Sequence, residues 1–225
     1  MIATAGALTP SESSLRTPPG TRVVLEGISW DTYQWAAAER GEGRRPRLAF
    51  DQGWLEIVSP TGRHDKSGYI LALIIEFAAL EWERDVVGIL STTISREDIE
   101  AGFEADQTFY IQHAELMREV DDVDMAVHPP PDLVIEVDVW NDSRRKLQLF
   151  ARFGVPEVWR VVDDEVIIYH LRQGEYELVD ASVAFPEFTA EPLTSLMRSG
   201  RTSRRVEWHK VVLAWAKELK AGDSR

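Results

Sequence analysis

The chain has no cysteine among its 225 residues. Disulfides, thiolate metal ligands and dithiol redox chemistry are therefore excluded, and a reducing compartment suits it. No stretch approaches the roughly 20 consecutive apolar residues that cross a bilayer. Met1 to Pro19 is rich in Ala, Thr, Ser and Pro, and lacks the basic and then apolar regions of a secretory signal. These absences predict a soluble, cytoplasmic protein with no membrane partner and a disordered tail over residues 1–20. Basic residues are in deficit, 25 against 38 acidic ones, for a net charge of −13. That excludes broad electrostatic attraction to nucleic acid, because Lys and Arg neutralising phosphates supply most non-specific affinity. A local basic cleft stays open. The arginines do cluster, at Arg40, Arg44, Arg45 and Arg47, at Arg144 and Arg145 beside Lys146, and at Arg198, Arg201, Arg204 and Arg205. Taken alone, each cluster reads as a solvated charged face.

What is present is ordinary globular composition, 44% hydrophobic and 28% charged, with no internal repeat and no convincing linker. One domain over residues 21–200 is the economical reading, followed by an amphipathic helix within 201–225 that packs on or near it. That helix would run from Val206 to Lys220 and bury Val211, Val212, Trp215 and Leu219. Alternating strand patterns and helical periodicities intermix along the chain, which predicts an α/β (α+β) fold with a mixed sheet flanked by helices. Arg47 to Phe50 and Trp54 to Val58 read as a hairpin around Asp51-Gln52-Gly53. Asp65 is placed to cap a long helix carrying Leu71, Ile74, Ile75, Ala78 and Trp82. Phe103 to Ile111 reads as one strand, Leu133 to Val139 as the most strand-like run, and Ser143 to Phe153 as a helix stopped by Gly154. Val158 to Val162 and Val166 to Leu171 form a second hairpin, with Tyr176 to Val179 as an edge strand. The aromatic-rich segments Trp30 to Trp35 and Trp208 to Trp215 read equally as interface or core.

The carboxylates inside these strands are anomalous. In the Leu133 strand, Glu136 and Asp138 share a face with Asp132 and Val134, opposite Leu133, Ile135 and Val137. If the strand is central, a helix covers that face, and a buried carboxylate needs a cation, hydrogen bonds or a proton. The alternative is an exposed acidic face on a half-solvated strand. Glu104 and Asp106 share a face of the Phe103 strand, and Glu56 interrupts an apolar run between Trp54 and Val58. Clustered carboxylates repel, and a hard divalent cation relieves them. With no Cys and five His, oxygen ligation of Mg²⁺ or Mn²⁺ is favoured over zinc. Lys146 stands in the first turn of its helix, where the macrodipole disfavours cations. It aligns with Leu149, Phe150 and Phe153, so it either faces the acids or snorkels along Phe150.

The sequence resembles the Uma-type family of bacterial restriction endonucleases within the PD-(D/E)xK nuclease superfamily. The resemblance runs from about Val23 to Leu196. It is carried by Leu55-Glu56-Ile57-Val58-Ser59-Pro60 with His64 after it, by Glu104-Ala105-Asp106-Gln107 with Phe109-Tyr110-Ile111, and by Asp132-Leu133-Val134-Ile135-Glu136-Val137-Asp138. Lys146 and Gly154-Val155-Pro156-Glu157-Val158-Trp159 complete it. It implies a restriction-endonuclease-like core in which Asp106 and Glu136 are the motif acids. The superfamily's lysine ordinarily stands two residues after the glutamate. That position holds Asp138 here, and Lys146 on the next helix is the matching lysine. The expected activity is metal-dependent phosphodiester hydrolysis in nucleic acid, with DNA the first candidate. Asp106, Glu136 and the carbonyl of Val137 would hold Mg²⁺ or Mn²⁺, assisted by Glu56. Lys146 would support the attacking water or the transition state, His64 would contact phosphate or merely pack, Asp138 would back the site, and Asp132 would anchor a loop. A homodimer is the expected assembly for cutting a duplex. The rival expectation is an idle nuclease-fold module that binds nucleic acid or a protein.

Overall fold

The computed structural model describes residues 18–40, 45–89, 92–138 and 144–223. Most of the expected tail, Arg44, strand residue Val139 and helix residue Ser143 lie outside them. Pro18 to Gly20 form a turn whose Gly20 N–H donates to Ser59 O at 2.7 Å.

The strands of the described residues form two sheets. The first is antiparallel and built from β1 (Arg22–Leu25), β2 (Arg47–Asp51), β3 (Trp54–Val58), β5 (Ile94–Arg96) and β6 (Ala101–Phe103), in the order β1-β3-β2-β6-β5. The β2–β3 turn closes with Gln52 and Gly53 both at positive φ, the two-residue hairpin geometry anticipated from Asp51-Gln52-Gly53. Helix α1 (Trp30–Arg40) covers this sheet through Trp30, Tyr33 and Ala36, which pack on Leu48, Phe50 and Leu55. Trp30 is therefore core, whereas Trp35 is exposed.

The second sheet contains β4 (Val87–Gly88), β7 (Gln107–Tyr110), β8 (Leu133–Asp138), β9 (Glu157–Val162), β10 (Glu165–Arg172) and β11 (Glu175–Val179), in the order β11-β10-β9-β8-β7-β4. It is mixed. β8 and β9 are parallel, joined through helix α4 (Arg144–Phe153), and every other neighbouring pair is antiparallel. One face carries Leu133, Ile135, Val137, Trp159 and Val161, and is buried by α2 (Gly62–Trp82), α5 (Ala190–Thr202) and α6 (Arg205–Asp223). The opposite face carries Val134 and Val158, and meets Leu149, Phe150 and Phe153 of α4 together with Phe103 of the first sheet. The short α3 (Ala114–Met117) precedes the loop into β8.

Four local expectations need correction. Thr61 caps α2, accepting from His64 N–H at 3.4 Å, and Asp65 sits inside the first turn, where its charge suits the dipole. Phe103 to Ile111 is not one strand: β6 belongs to the first sheet and β7 to the second, and Glu104-Ala105-Asp106 cross between them fully buried. Helix α5 was unforeseen. In α6 the buried residues are Trp208, Val212 and Ala216, with Val211 turned to solvent at 54% exposure. Trp208 enters the main core and Trp82 Nε1 donates to Ala216 O at 2.8 Å, so α6 is integral to that core.

Candidate active site

The crossing segment and the middle of β8 build the site together. Gln107 pairs with Ile135, so continuing the antiparallel register by one residue sets Asp106 opposite Glu136. The Val137 N–H donates to Asp106 Oδ2 at 2.6 Å and locks the carboxylate there. The face of β8 that holds Glu136 is the one covered by α4, and α4 delivers Lys146 to it. The exposed-acid reading of this strand therefore fails at Glu136, which is 6% exposed, and Asp106 opposite it is 2% exposed.

Lys146 donates to Glu136 Oε1 and lies 3.3 Å from Glu56 Oε2 on β3. This is the inward orientation; the lysine does not snorkel. Burial opposes its charge, but Glu136 and Glu56 outweigh burial and hold its pKa above the ordinary lysine value. Burial pushes the Glu136 carboxyl up, with Lys146 pulling the other way. Glu136 Oε2 accepts no hydrogen bond among the described residues although it is buried. Such an orphaned oxygen is costly unless something binds it. Glu56 is also held by Arg22 Nε.

Arg47 on β2 pairs with Asp106, and His64 Nδ1 lies 3.1 Å from the same oxygen, Asp106 Oδ1. Burial, reinforced by Arg47 and Lys146, lowers the His64 pKa to about 4. The imidazole is thus neutral at pH 7. Because a carboxylate only accepts, its single proton sits on Nδ1 toward Asp106 and Nε2 is left as an acceptor. Asp138 receives Arg160 at 2.6 Å. Asp132 accepts the amides of Ile111 and His113, at 2.7 and 3.1 Å, and ties the loop ahead of β8.

Arg22, Arg47, Glu56, His64, Glu136, Val137, Asp138 and Lys146 all line one cleft, with a cavity of about 20 Å³. That is room for roughly one water-sized occupant. Glu104 borders it too, but Arg40 and Thr93 fix its carboxylate, so it is structural support. Among the described residues no three His, Cys, Asp or Glu side chains assemble a ready-made metal cage. The donor chemistry nonetheless suits a hard cation: the acids are oxygen donors, and Glu136 Oε2 is an unsatisfied one.

Sequence reasoning did not single out Arg47, Arg22 or Arg160 as site residues. Arg40 and Arg47 are not a solvated face, since Arg40 is buried on Glu104 and Arg47 reaches Asp106, whereas Arg45 is exposed and pairs with Asp65. The available signal was strand alternation, since Arg47 shares a face of β2 with Ala49, whose side chain is buried in the core.

No curated protein matches the chain. A solved structure from Anabaena variabilis ATCC 29413, described as "a putative nuclease belonging to DUF820", matches with a TM-score of 0.49 and 14% identity, covering 84% of this chain and 99% of that one. The Uma2 family model, described as "Putative restriction endonuclease", matches residues 30–199. That span holds Glu56, His64, Asp106, Glu136 and Lys146 together, and the chain belongs to the Uma2 family.

Proposed function

We propose that the protein is a Mg²⁺- or Mn²⁺-dependent endonuclease that hydrolyses phosphodiester bonds in nucleic acid, DNA foremost. Family membership supports the nuclease class. The observation that carries the site assignment is the buried Glu136, with one oxygen on Lys146, the other unpartnered among the described residues, and Asp106 opposite it in the register. Asp106 and Glu136 would hold the ion, with Val137 beside Glu136 in the lining of the cleft. An ion held there would supply neutralisation of charge on the scissile phosphate and a lowered pKa for a bound water.

The chain's own groups divide the remaining work. Lys146, held charged by two acids, is a fixed cation for the negative charge that develops on the phosphate oxygens, and not a proton acceptor. Arg47 adds a second positive group at the same mouth. His64, neutral, holds Asp106 and keeps Nε2 free to accept a proton or a hydrogen bond from water. Glu56 positions Lys146 from the far side.

One observation favours a second reading, a catalytically idle binding module. Asp106 already carries Arg47, His64 and the Val137 amide, which leaves a metal to displace one of them. Supercoiled plasmid and labelled single strands incubated with Mn²⁺, Mg²⁺ or EDTA separate the two. Cleavage that requires metal supports the enzyme. A metal-dependent rise in melting temperature without cleavage supports the idle module.

A further inference from the structure

A groove of about 360 Å³ leads out of the cleft, lined by Thr61, Arg63 and His64 of the α2 N-terminus and by Val137, Asp138, Asp163 and Asp164. Its mouth holds an arrangement that the chemistry of the cleft does not use. Asp164, at the tip of the β9–β10 turn, lies between two guanidinium groups: Arg63 reaches Oδ2, and Arg201 of α5 reaches Oδ1 at 2.5 Å. Arg198 backs the turn from Asp164 O at 2.9 Å, and Lys66 Nζ caps Arg201 O at 2.6 Å. Arg63 is 72% exposed at its side chain, so this pair is not a buried structural bridge.

We propose that Arg63 and Arg201 form a clamp for a backbone phosphate of the nucleic-acid strand leaving the cleft, with Asp164 occupying the phosphate position until the strand displaces it. The inference rests on the nuclease reading of the cleft and deepens it. A protein of net charge −13 repels a polyanion overall, so it needs a local anchor where the strand enters or leaves. Two guanidiniums converging on one anionic group match the fork geometry that binds phosphate. The first turn of α2, a helix of 21 residues, faces the same groove and adds its positive dipole end. Of the other two acids of the wall, Asp138 is already matched by Arg160, so the exchange at Asp164 changes the charge that the mouth presents. Asp164 works there as a built-in competitor: it keeps the arginines aligned, and a phosphate must out-compete it.

The test is binding without cleavage. Fluorescence anisotropy of labelled duplex and single-stranded oligonucleotides is measured in EDTA at several salt concentrations. The proteins compared are wild type, Arg63→Ala, Arg201→Gln, Asp164→Asn and, as a distant control, Arg118→Ala, whose partner is Asp85. Asp164 has φ of 65°, a left-handed conformation that Asn tolerates, so Asp164→Asn keeps its turn. The expected result is that Asp164→Asn binds several-fold tighter than wild type. Arg63→Ala and Arg201→Gln bind several-fold weaker, each with a slope of log Kd against log salt reduced by about one. Arg118→Ala should match wild type. Unchanged or weaker binding by Asp164→Asn, with wild type still bound, would overturn the clamp while leaving the cleft's assignment untouched. Wild type that binds no oligonucleotide at any salt would overturn the clamp, and the nuclease reading is then judged separately by plasmid cleavage in Mn²⁺.

Discussion

Lys146 faces two carboxylates in a space that excludes most water, so its removal is not a surface change. Taking one partner from a buried ion pair leaves uncompensated charge and costs roughly 3–5 kcal/mol. Lys146→Ala is therefore expected to melt well below wild type in EDTA, and Mn²⁺ should raise its melting temperature more than that of wild type by relieving Glu136 and Glu56. A variant that melts with wild type would show that the lysine contributes nothing to charge balance. His64 gives a pH signature in metal-free buffer. Its folded pKa of about 4 lies below the ordinary value of 6.5, so between those values the unfolded chain binds the extra proton. The contribution is complete above about pH 6.5 and is lost as pH falls toward 4, up to about 3 kcal/mol in all. His64→Gln should show a shallower loss of stability than wild type over that window, measured by denaturant unfolding at each pH. Of this site, the acids and the lysine were legible because each broke an apolar pattern. Arg47 was not, because a charged residue beginning a strand next to three other arginines looks like ordinary surface.

Among the elements, the crossing from β6 to β7 matters most for function. Phe103, Ala105, Gln107 and Phe109 alternate without interruption, and alternation alone cannot report that a chain changes sheets partway. Only tertiary pairing, β6 with β2 and β5 but β7 with β8 and β4, makes the break. That break buries Asp106 against β8. Both hairpins were readable, since their turns need residues that accept positive φ and Gln52-Gly53 and Asp163-Asp164 supply them. Helix α5 went unread although Leu193, Leu196, Met197 and Gly200 follow helical spacing and are buried. Pro192 and Gly200 disguised it, yet Pro is tolerated in a first turn and Gly200 is where Trp208 presses closest. The joint between α1 and the first sheet is equally tight: a Cβ on Gly102 of β6 would overlap the Tyr33 hydroxyl. Gly102→Ala should cost about 1–3 kcal/mol in thermal or denaturant unfolding. Adding Tyr33→Phe should recover part of it, because the phenolic oxygen is the nearest atom and has no hydrogen-bond partner among the described residues.

Across the molecule, two sheets share the task of holding one cleft. The second contributes Glu136 and Val137, the first contributes Arg47 and Glu56, and Asp106 lies on the passage between them. Helices α2, α5 and α6 form the other layer, and Trp208, Val212 and Ala216 join its core. Truncation before Arg205 should therefore abolish cooperative unfolding by calorimetry rather than trim a dispensable end. No helix among the described residues is long and apolar enough to cross a membrane. The net charge argues only against indiscriminate binding, and the proposed clamp of Arg63 and Arg201 is where a strand would be received.

The most direct measurement is the rate of plasmid nicking by Glu136→Gln beside wild type in Mn²⁺, with melting curves confirming that both are folded. Metal-dependent nicking by wild type and a loss of at least a hundredfold in the variant is the outcome that this account predicts. Equal nicking by both proteins would place the chemistry elsewhere and contradict it.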